Sequence, residues 1–195
     1  MPRPSRWDDV VAAAAKVFRE RGYDGASVED VADEVGMLKG SIYNYISTKE
    51  DLLLAVVRPP AERLLREMRD LEAADGPAGD KIRLMARSHA RVIEDFLPYV
   101  AVYVQELAGR QTSDEWMAMD REYVTLAERI VEAGMEADEF RSDVRPRIVA
   151  LSLIGSLNWL TRWYQPDGPE SALEVADQIA DLCLRGLSVR PATTG

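Results

Sequence analysis

The amino-acid sequence predicts an all-α fold. Apolar residues recur every three or four positions along most of the chain, which is the spacing of one face of an α-helix. Sustained apolar–polar alternation between hairpin turns, the pattern of a half-buried strand, is not found. Glycine and proline clusters divide the helical pattern into about nine segments.

The first helices are predicted from their capping residues. The first covers roughly residues 6–22 and ends at a glycine, the residue type that most easily adopts the left-handed conformation after a helix. Ser27 precedes the second helix, and Asp30 follows three residues later, as in a capping box. Ser47 and Glu50 form a similar pair, which we expect to cap the fourth helix.

The fourth helix is predicted over 49–58. Pro59-Pro60 follows, and proline both lacks a backbone N–H donor and clashes with the preceding helical turn. We therefore expect a break or a kink at the two prolines, with the helix resuming through Glu72.

The later helices follow a linker, Gly76-Pro77-Ala78-Gly79. Most of their predicted starts are marked by a proline or by a capping pair. The expected positions are 80–97, a segment beginning at Pro98, a helix capped by Thr112 and Glu115 that ends near Ala137, a helix opened by Pro146, and a last helix opened by Pro169.

Composition is typical of a soluble cytoplasmic protein. The chain has 195 residues, 47% of them hydrophobic, so it can bury a substantial core. Its one cysteine excludes an intrachain disulfide and fits a reducing compartment. The N-terminal residues lack the apolar segment of a secretory signal, and the longest nearly uncharged run, 148–161, is too short to span a bilayer. No membrane partner is expected.

Negative charge is unevenly distributed along the chain. The formal net charge is −10, but residues 1–49 contain seven Lys/Arg and eight Asp/Glu. No acidic residue occurs from Val35 to Lys49. Exposed charges are screened beyond about 8–10 Å at physiological salt. The acid-free segment can therefore bind phosphate even though the whole chain is acidic.

The segment VEDVADEVGMLKGSIYNYIS, residues 28–47, has the pattern of a helix-turn-helix. Ala32 supplies a small side chain where two helices cross closely, and Gly36 suits a turn that needs positive φ. The apolar residues predicted to close a small core are Val31, Val35, Leu38 and Ile42.

The polar residues left outside that core suit a DNA groove and its phosphates. On the second helix of the motif they are Lys39, Gly40, Ser41, Tyr43 and Asn44. Ser27 and Lys49 flank the motif at two helix N-termini, where backbone N–H groups can hold a phosphate. Arg3 and Arg6 lie on an N-terminal arm that can follow the DNA backbone or the minor groove. A helical hairpin with a merely solvated polar face is the alternative.

Residues 12–54 resemble the DNA-binding domain of the tetracycline-repressor (TetR) family in VFRERGYDGAS, VEDVADEVG, KGSIYNY and KEDLL. The resemblance implies an all-helical homodimeric repressor, with a helix-turn-helix domain over 1–48 and a ligand-binding and dimerisation domain over 49–195. The matching positions that usually touch operator DNA in this family are Lys39, Gly40, Ser41, Tyr43, Asn44, Tyr45 and Lys49. Ile46 departs from the family pattern, in which an aromatic residue is common.

The last two long helices are predicted to form the dimer interface. Ser152, Gly155 and Ser156 place small residues on one face of IVALSLIGSLNWLTRWY, so another helix can approach closely. The final helix shows one stripe, formed by Ala172, Val175, Ala176, Ile179, Leu182, Cys183 and Gly186. Two copies then build a four-helix bundle and present two DNA-binding helices to a palindromic operator. The alternative is that both helices only cover their own domain.

Aromatic side chains with polar neighbours in the middle helices indicate a small-molecule site, although core packing explains each ring equally well. The candidates are His89, Phe96, Tyr99, Tyr103, Trp116, Tyr123, Asn158, Trp159, Arg162 and Trp163. The segment NWLTRWYQPDGPES resembles TetR-family regulators that respond to acyl-coenzyme A thioesters. This resemblance implies an acyl-coenzyme A effector whose phosphates lie near Arg162. The further arginines that could bind these phosphates are Arg87, Arg91 and Arg110.

Catalytic patterns are weak. A single histidine, His89, cannot form a multi-histidine metal site, and neither a GxSxG elbow nor a phosphate-binding glycine loop is present. No cofactor or metal is expected, and we predict that the chain is not an enzyme. The competing hypothesis is a helical enzyme or carrier for an apolar carboxylate or thioester.

Overall fold

The computed structural model describes residues 6–107 and 113–188, and over these ranges the all-α prediction is confirmed. Arg3, Arg110 and Thr112 lie outside the described residues. The helices are α1 (Arg6–Arg21), α2 (Val28–Val35), α3 (Lys39–Ile42), α4 (Lys49–Ala73), α5 (Ala78–Val102), α6 (Asp114–Glu136), α7 (Pro146–Asn158), α8 (Leu160–Trp163) and α9 (Ala172–Leu187). A π-helical turn, Tyr103–Leu107, follows α5, and one isolated bridge pairs Phe140 with Ser188.

The first of two compact units comprises the described residues of Met1–Ala61 and Phe96–Arg110. Here α1 packs on α2, and α2 packs on α3. The side chains that form its core are apolar and have no exposed surface: Val10, Ala14, Phe18, Val31, Ile42, Leu52 and Val56. Burial of Ile42 holds the single turn of α3 in place, since four residues do not form a stable helix alone.

The second unit comprises Glu62–Asp95 and the described residues of Gln111–Gly195. In it α6 packs on α7, and α7 packs on α9. The largely buried side chains of its core include Met68, Ile82, Ala86, Ile130, Leu153, Leu157 and Ala176. Gly134 is required in α6 because a Cβ there would lie 2.3 Å from the ring of Phe140.

The predicted interruption of the fourth helix is wrong. α4 is continuous from Lys49 to Ala73, with Pro59 and Pro60 inside it. Apolar residues of α4 are buried on both sides of the prolines, including Val56 before them and Met68 after them. Tertiary burial of both halves outweighs the local cost of the prolines, as packing often overrides helix propensity.

The cap of α4 lies one residue beyond the predicted position. The backbone N–H groups of Ser47 and Thr48 donate to Asp51 Oδ2 over 2.9 and 2.8 Å, and Asp51 N donates to Thr48 Oγ1 over 3.1 Å. Thr48 and Asp51 therefore form the box that was expected at Ser47 and Glu50. These hydrogen bonds, from Thr48 first, lower the pKa of Asp51.

The two helices expected on either side of Pro98 are present, but they are joined across a kink and are labelled together as α5. α5 runs through Pro98 to Val102, and the irregularity falls at Phe96, whose φ of −132° and ψ of 26° are not helical. Proline disturbs the turn that precedes it, so the change of path appears two residues earlier than predicted.

The remaining helix ends are corrected by a few residues. Ser113 caps α6 by accepting a bond from Trp116 N, and α9 begins at Ala172 behind a capping box of Ser171 and Glu174 rather than at Pro169. α7 ends at Asn158, and α8 continues for one further turn. No helix in the described ranges is long and apolar enough to cross a membrane.

Candidate functional site

The start of α2 is held by the predicted capping box. Asp30 N donates to Ser27 Oγ over 3.1 Å, and both Ser27 N and Ser27 Oγ donate to Asp30 Oδ2 over 2.7 Å. The Ser27 hydroxyl and N–H lower the pKa of Asp30 through these bonds, so Asp30 is ionised at neutral pH. Arg21, at the end of α1, pairs with the same carboxylate and connects the two helices.

The turn of the helix-turn-helix has the predicted geometry. Gly36 ends α2 with φ of 66° and ψ of 42°, in the left-handed region that favours glycine. Ala32 of α2 and Ile42 of α3 are both buried. The positive φ of Gly36 and the burial of Ala32 and Ile42 therefore agree with the predicted motif.

Leu38 corrects the predicted core of this motif. The side chain is 81% exposed, because Leu38 is the N-cap residue of α3 and has extended backbone angles. Val35 is only half-buried. The small core therefore depends on Val31 and Ile42, and an apolar side chain stands on the surface next to Lys39.

The residues predicted to contact DNA form an exposed surface. Lys39, Gly40, Tyr43, Asn44 and Tyr45 are exposed, and Ser41 is half-buried. Lys39 Nζ lies 3.3 Å from Glu29 Oε2 of α2, and this exposed ion pair is weak enough to exchange for a phosphate. α3 covers only Lys39–Ile42, so Tyr43, Asn44 and Tyr45 project from the turn that follows the helix.

Lys49 differs from the other predicted contacts because its ammonium group is already engaged. Its Nζ donates to the carbonyl oxygens of Tyr23 and Ala26 over 2.6 and 2.9 Å and lies 4.2 Å from the centroid of the Tyr23 ring. It therefore fixes the loop between α1 and α2. Arg6, at the start of α1, is exposed.

Trp7 is a residue of this unit that sequence reasoning missed. Its ring stacks on Tyr45, with centroids 5.4 Å apart and planes 23° apart. Nothing in the helical pattern distinguishes Trp7 from an ordinary first-turn residue, because its partner lies 38 positions later in the sequence.

A second candidate site, in the other unit, is a buried polar cluster around His89. The side chain is 2% exposed; Nδ1 lies 3.3 Å from the hydroxyl of Tyr123, and Nε2 lies 3.0 Å from Asn158 Oδ1. Burial lowers the pKa of His89 to about 4, so the imidazole is neutral at pH 7. Burial also raises the pKa of Tyr123, and the phenol keeps its proton.

A carboxylate that the sequence did not single out lies in the same unit. Glu67 of α4 accepts from the Ser88 hydroxyl and from Arg63 Nε, and Arg63 also donates to Asp95 over 2.5 Å. Burial alone would raise the pKa of Glu67, but the bonds from Ser88 and Arg63 lower it on balance. The sequence feature that could have pointed to this polar region is Ser88, which directly precedes His89.

The predicted effector-binding residues are not all brought together. Phe96 and Tyr99, packed edge-to-face with centroids 6.1 Å apart, belong with Tyr103 to the first unit. In the second unit Trp116 is buried, whereas Trp159 is 60% exposed and Trp163 is also exposed. The guanidinium of Arg162 lies 5.9 Å from the Trp159 ring centroid. His89, Tyr123 and Asn158 are the part of the predicted set that forms one cluster.

The extra arginines suggested for phosphate binding have different surroundings. Arg87 makes a bidentate ion pair with Asp177, with donor–acceptor distances of 2.6 and 2.8 Å, so its guanidinium links α5 to α9. Arg91 contributes electrostatically to the lowered pKa of Glu67. No group of three or more His, Cys, Asp or Glu that could hold a metal occurs among the residues with described positions.

The outer faces of α7 and α9 carry apolar and small residues. Ile148 and Leu151 of α7 are exposed, Leu182 of α9 is 73% exposed, and a Cβ added at Gly155 or Gly186 would meet no atom within 4 Å. Ala172, Val175 and Ala176 of the predicted stripe instead face their own unit and are buried. Part of the predicted stripe therefore packs into the core of its own unit, and another part, including Leu182, is exposed.

Comparison with known proteins agrees with this geometry. The family model described as bacterial regulatory proteins, tetR family, matches residues 10–56, and that described as tetracyclin repressor-like, C-terminal domain, matches residues 75–187. The chain therefore belongs to the TetR family. It is a DNA-binding transcriptional regulator, and this membership replaces the hypothesis of an enzyme or carrier.

Named relatives give a finer comparison. The HTH-type transcriptional repressor KstR2 of Mycolicibacterium smegmatis is 29% identical over 189 residues, covering 94% of this chain and 91% of the relative. The solved structure of the ketosteroid regulator KstR2 of Mycobacterium tuberculosis superposes with a TM-score of 0.86 at 25% identity, over 96% and 97% of the two chains. AibR in complex with isovaleryl coenzyme A and operator DNA shares the fold, with a TM-score of 0.74 at 21% identity, over 94% and 98%.

Proposed function

We propose that this protein is a repressor that holds a palindromic operator as a homodimer and releases it on binding an apolar or acyl-CoA-like effector. The observation that carries the operator part is the exposed surface of α3 and the following turn, in a segment without acidic residues. The proposed division of labour places DNA binding in residues 1–48 and effector binding with dimerisation in 49–195. A regulator of this kind works in the cytoplasm.

The proposed operator contacts have different roles. Lys39 reaches a base edge or a phosphate, Gly40 allows close backbone approach, and the side chains of Tyr43 and Asn44 donate to phosphates or read a base. The supporting contacts to phosphate are those of Arg3, Arg6, Ser27, Ser41, Tyr45 and Lys49. Ser27 and Lys49 contribute mainly by fixing α2 and the loop before it.

Operator binding is tested with a duplex recovered by in vitro selection with the full chain. We expect Lys39→Ala and Tyr43→Ala each to weaken binding at least about tenfold, since each removes a direct contact. Lys16→Ala is a matched control: Lys16 and Lys39 side chains are each 49% exposed, and each pairs with a glutamate of α2. Fluorescence anisotropy that shows equal losses in Lys16→Ala and Lys39→Ala contradicts the assigned contact surface.

The proposed dimer interface is formed by α7 and α9. Their uncovered face combines exposed apolar side chains with small residues at Ser152, Gly155 and Ser156, which permit close approach of a second helix pair. Homo-oligomers usually have two-fold symmetry, and a two-fold dimer matches a palindromic site.

The effector part is supported by the cluster of His89, Tyr123 and Asn158. Small-molecule sites combine apolar walls with a few polar groups, and Tyr123 packs against a buried apolar cluster that includes Leu126 and Leu157. If Asn158 Oδ1 accepts from His89, its NH₂ group remains able to donate to an uncharged acyl oxygen. The residues of the same unit that we propose to extend this lining are Trp116, Trp159, Arg162 and Trp163.

Effector response is measured as release of the selected operator during titration with octanoyl-CoA, free octanoate or coenzyme A alone. We expect octanoyl-CoA to release the operator. The Asn158→Asp variant keeps the acceptor for His89 but removes the NH₂ donor, so its response to octanoyl-CoA should be about tenfold weaker. Its operator affinity without effector should be unchanged. Release by octanoate alone would redirect the assignment to free acids. No release by any of the three contradicts the acyl effector and leaves the operator proposal standing.

A further inference from the structure

The stacked pair Trp7 and Tyr45 connects two parts of the DNA-binding unit that the backbone does not join directly. Trp7 lies in the first turn of α1, and Tyr45 lies in the turn after α3. The ring planes are 23° apart and the centroids 5.4 Å apart, within the range of attractive aromatic pairs. The contact therefore places an aromatic support from α1 under the proposed DNA surface.

This pair lies outside the core of the unit. Trp7 is half-buried and Tyr45 is 49% exposed, whereas the core residues Phe18, Val31 and Ile42 have no exposed surface. Removing the indole therefore creates little internal cavity. The main consequence of its loss is that Tyr45 gains rotational freedom.

Rotational freedom matters because Tyr45 belongs to a turn. The backbone of the turn is held by the bond from Tyr45 N to Ile42 O over 2.9 Å, but this bond leaves the side-chain dihedrals open. A side chain that is already held in its bound orientation loses less entropy on association. The Trp7 ring restricts Tyr45 in this way before DNA arrives.

We propose that Trp7 is a positioning residue for operator binding, which acts by holding the Tyr45 ring so that its hydroxyl donates to a DNA phosphate. This inference rests on the proposed contact of Tyr45 with the operator. Trp7 itself makes no contact that reads the sequence of the DNA.

A double-mutant cycle tests the proposal with the full chain and an operator duplex obtained by in vitro selection. The variants are Trp7→Ala, Tyr45→Phe, which removes the hydroxyl but keeps the ring, and their combination. We expect Tyr45→Phe to weaken binding about fivefold to tenfold and Trp7→Ala about threefold to tenfold. In the Tyr45→Phe background, Trp7→Ala should change affinity by less than about twofold, because there is no hydroxyl left to position.

Two further variants separate positioning from folding. Trp7→Phe keeps a stacking ring and should restore affinity to within about twofold of the unaltered chain, whereas Trp7→Leu keeps bulk without the ring and should bind like Trp7→Ala. Thermal unfolding of each variant shows whether it is folded. If Trp7→Ala is not folded, Trp7→Leu takes its place in the double-mutant cycle.

The outcomes distinguish this inference from the function on which it rests. Equal losses from Trp7→Ala in both backgrounds, or full affinity in Trp7→Leu, overturn the positioning role. If Tyr45→Phe binds normally while Lys39→Ala does not, the Tyr45 contact is wrong, the inference falls, and operator binding stands. If selection recovers no duplex at all, both the operator proposal and the inference fail.

Discussion

At the scale of single residues, His89 gives the protein a distinct dependence on pH. It is the one histidine in the chain, and burial holds its pKa at about 4, below the value near 6.5 of an exposed imidazole. Between these values the unfolded chain binds a proton that the folded chain does not. The free energy of unfolding therefore decreases as pH falls from 6.5, by about 1.5 kcal/mol at pH 5.

Urea denaturation at a series of pH values from 7 to 5 measures this loss. The carboxylates of Asp30, Asp51 and Glu67 have lowered pKa values, so the stability they contribute is lost mainly as pH falls below about 5, through the pKa of the unfolded carboxyl groups. His89→Gln is the control, because its amide can pair with Asn158 but has no proton to gain. A stability curve that is equally steep in His89→Gln shows that another group is responsible.

At the scale of elements, α4 contains two prolines in its interior, and each lacks a backbone N–H donor. Pro59 is exposed and provides no N–H for the carbonyl of Ala55, while Pro60 is buried. We expect Pro59→Ala to raise the free energy of unfolding by about 1–2 kcal/mol, since the restored hydrogen bond and helix propensity exceed the greater freedom of the unfolded chain.

A matched control for α4 comes from another proline of the same molecule. Pro146 is the first residue of α7, a position that needs no N–H donor. Pro146→Ala should therefore leave the urea midpoint unchanged or slightly lower it. If Pro59→Ala lowers the free energy of unfolding instead, the proline at this position does not cost α4 stability, and the prediction is wrong.

At the scale of the whole molecule, the uncovered face of α7 and α9 leads to a prediction about assembly. Leu182 is 73% exposed, and Ile148 and Leu151 of α7 are also exposed, so these helices carry several apolar side chains that the proposed dimer would cover. We expect Leu182→Glu to convert the dimer to a monomer in sedimentation velocity and to weaken binding to a palindromic duplex more than about tenfold, because a charge would be buried at the interface.

Leu84→Glu is the corresponding control for assembly. Leu84 is 50% exposed on α5, outside the proposed interface, so this variant should remain dimeric with normal operator affinity. A monomeric unaltered chain, or a Leu182→Glu variant that is still a dimer, contradicts the assignment of the interface to this face.

Sequence alone determined the features that depend on neighbouring residues. The helical period, the capping box of Ser27 and Asp30, the glycine turn at Gly36 and the burial of Ala32 and Ile42 follow from local spacing, because caps and turns are made within a few positions. The exposed surface around Lys39 follows from the same pattern. The contacts assigned to that surface stay predictions until operator binding is measured.

Tertiary structure decided the features that depend on distant residues. α4 passes through two prolines because its halves are buried on both sides, Leu38 is exposed because the chain is extended where α3 begins, and Trp7 meets Tyr45 across 38 positions. The cluster of His89, Tyr123 and Asn158 likewise needs three helices to meet. Helical periodicity records which side of a helix is apolar, but it does not record which other side chain that helix will face.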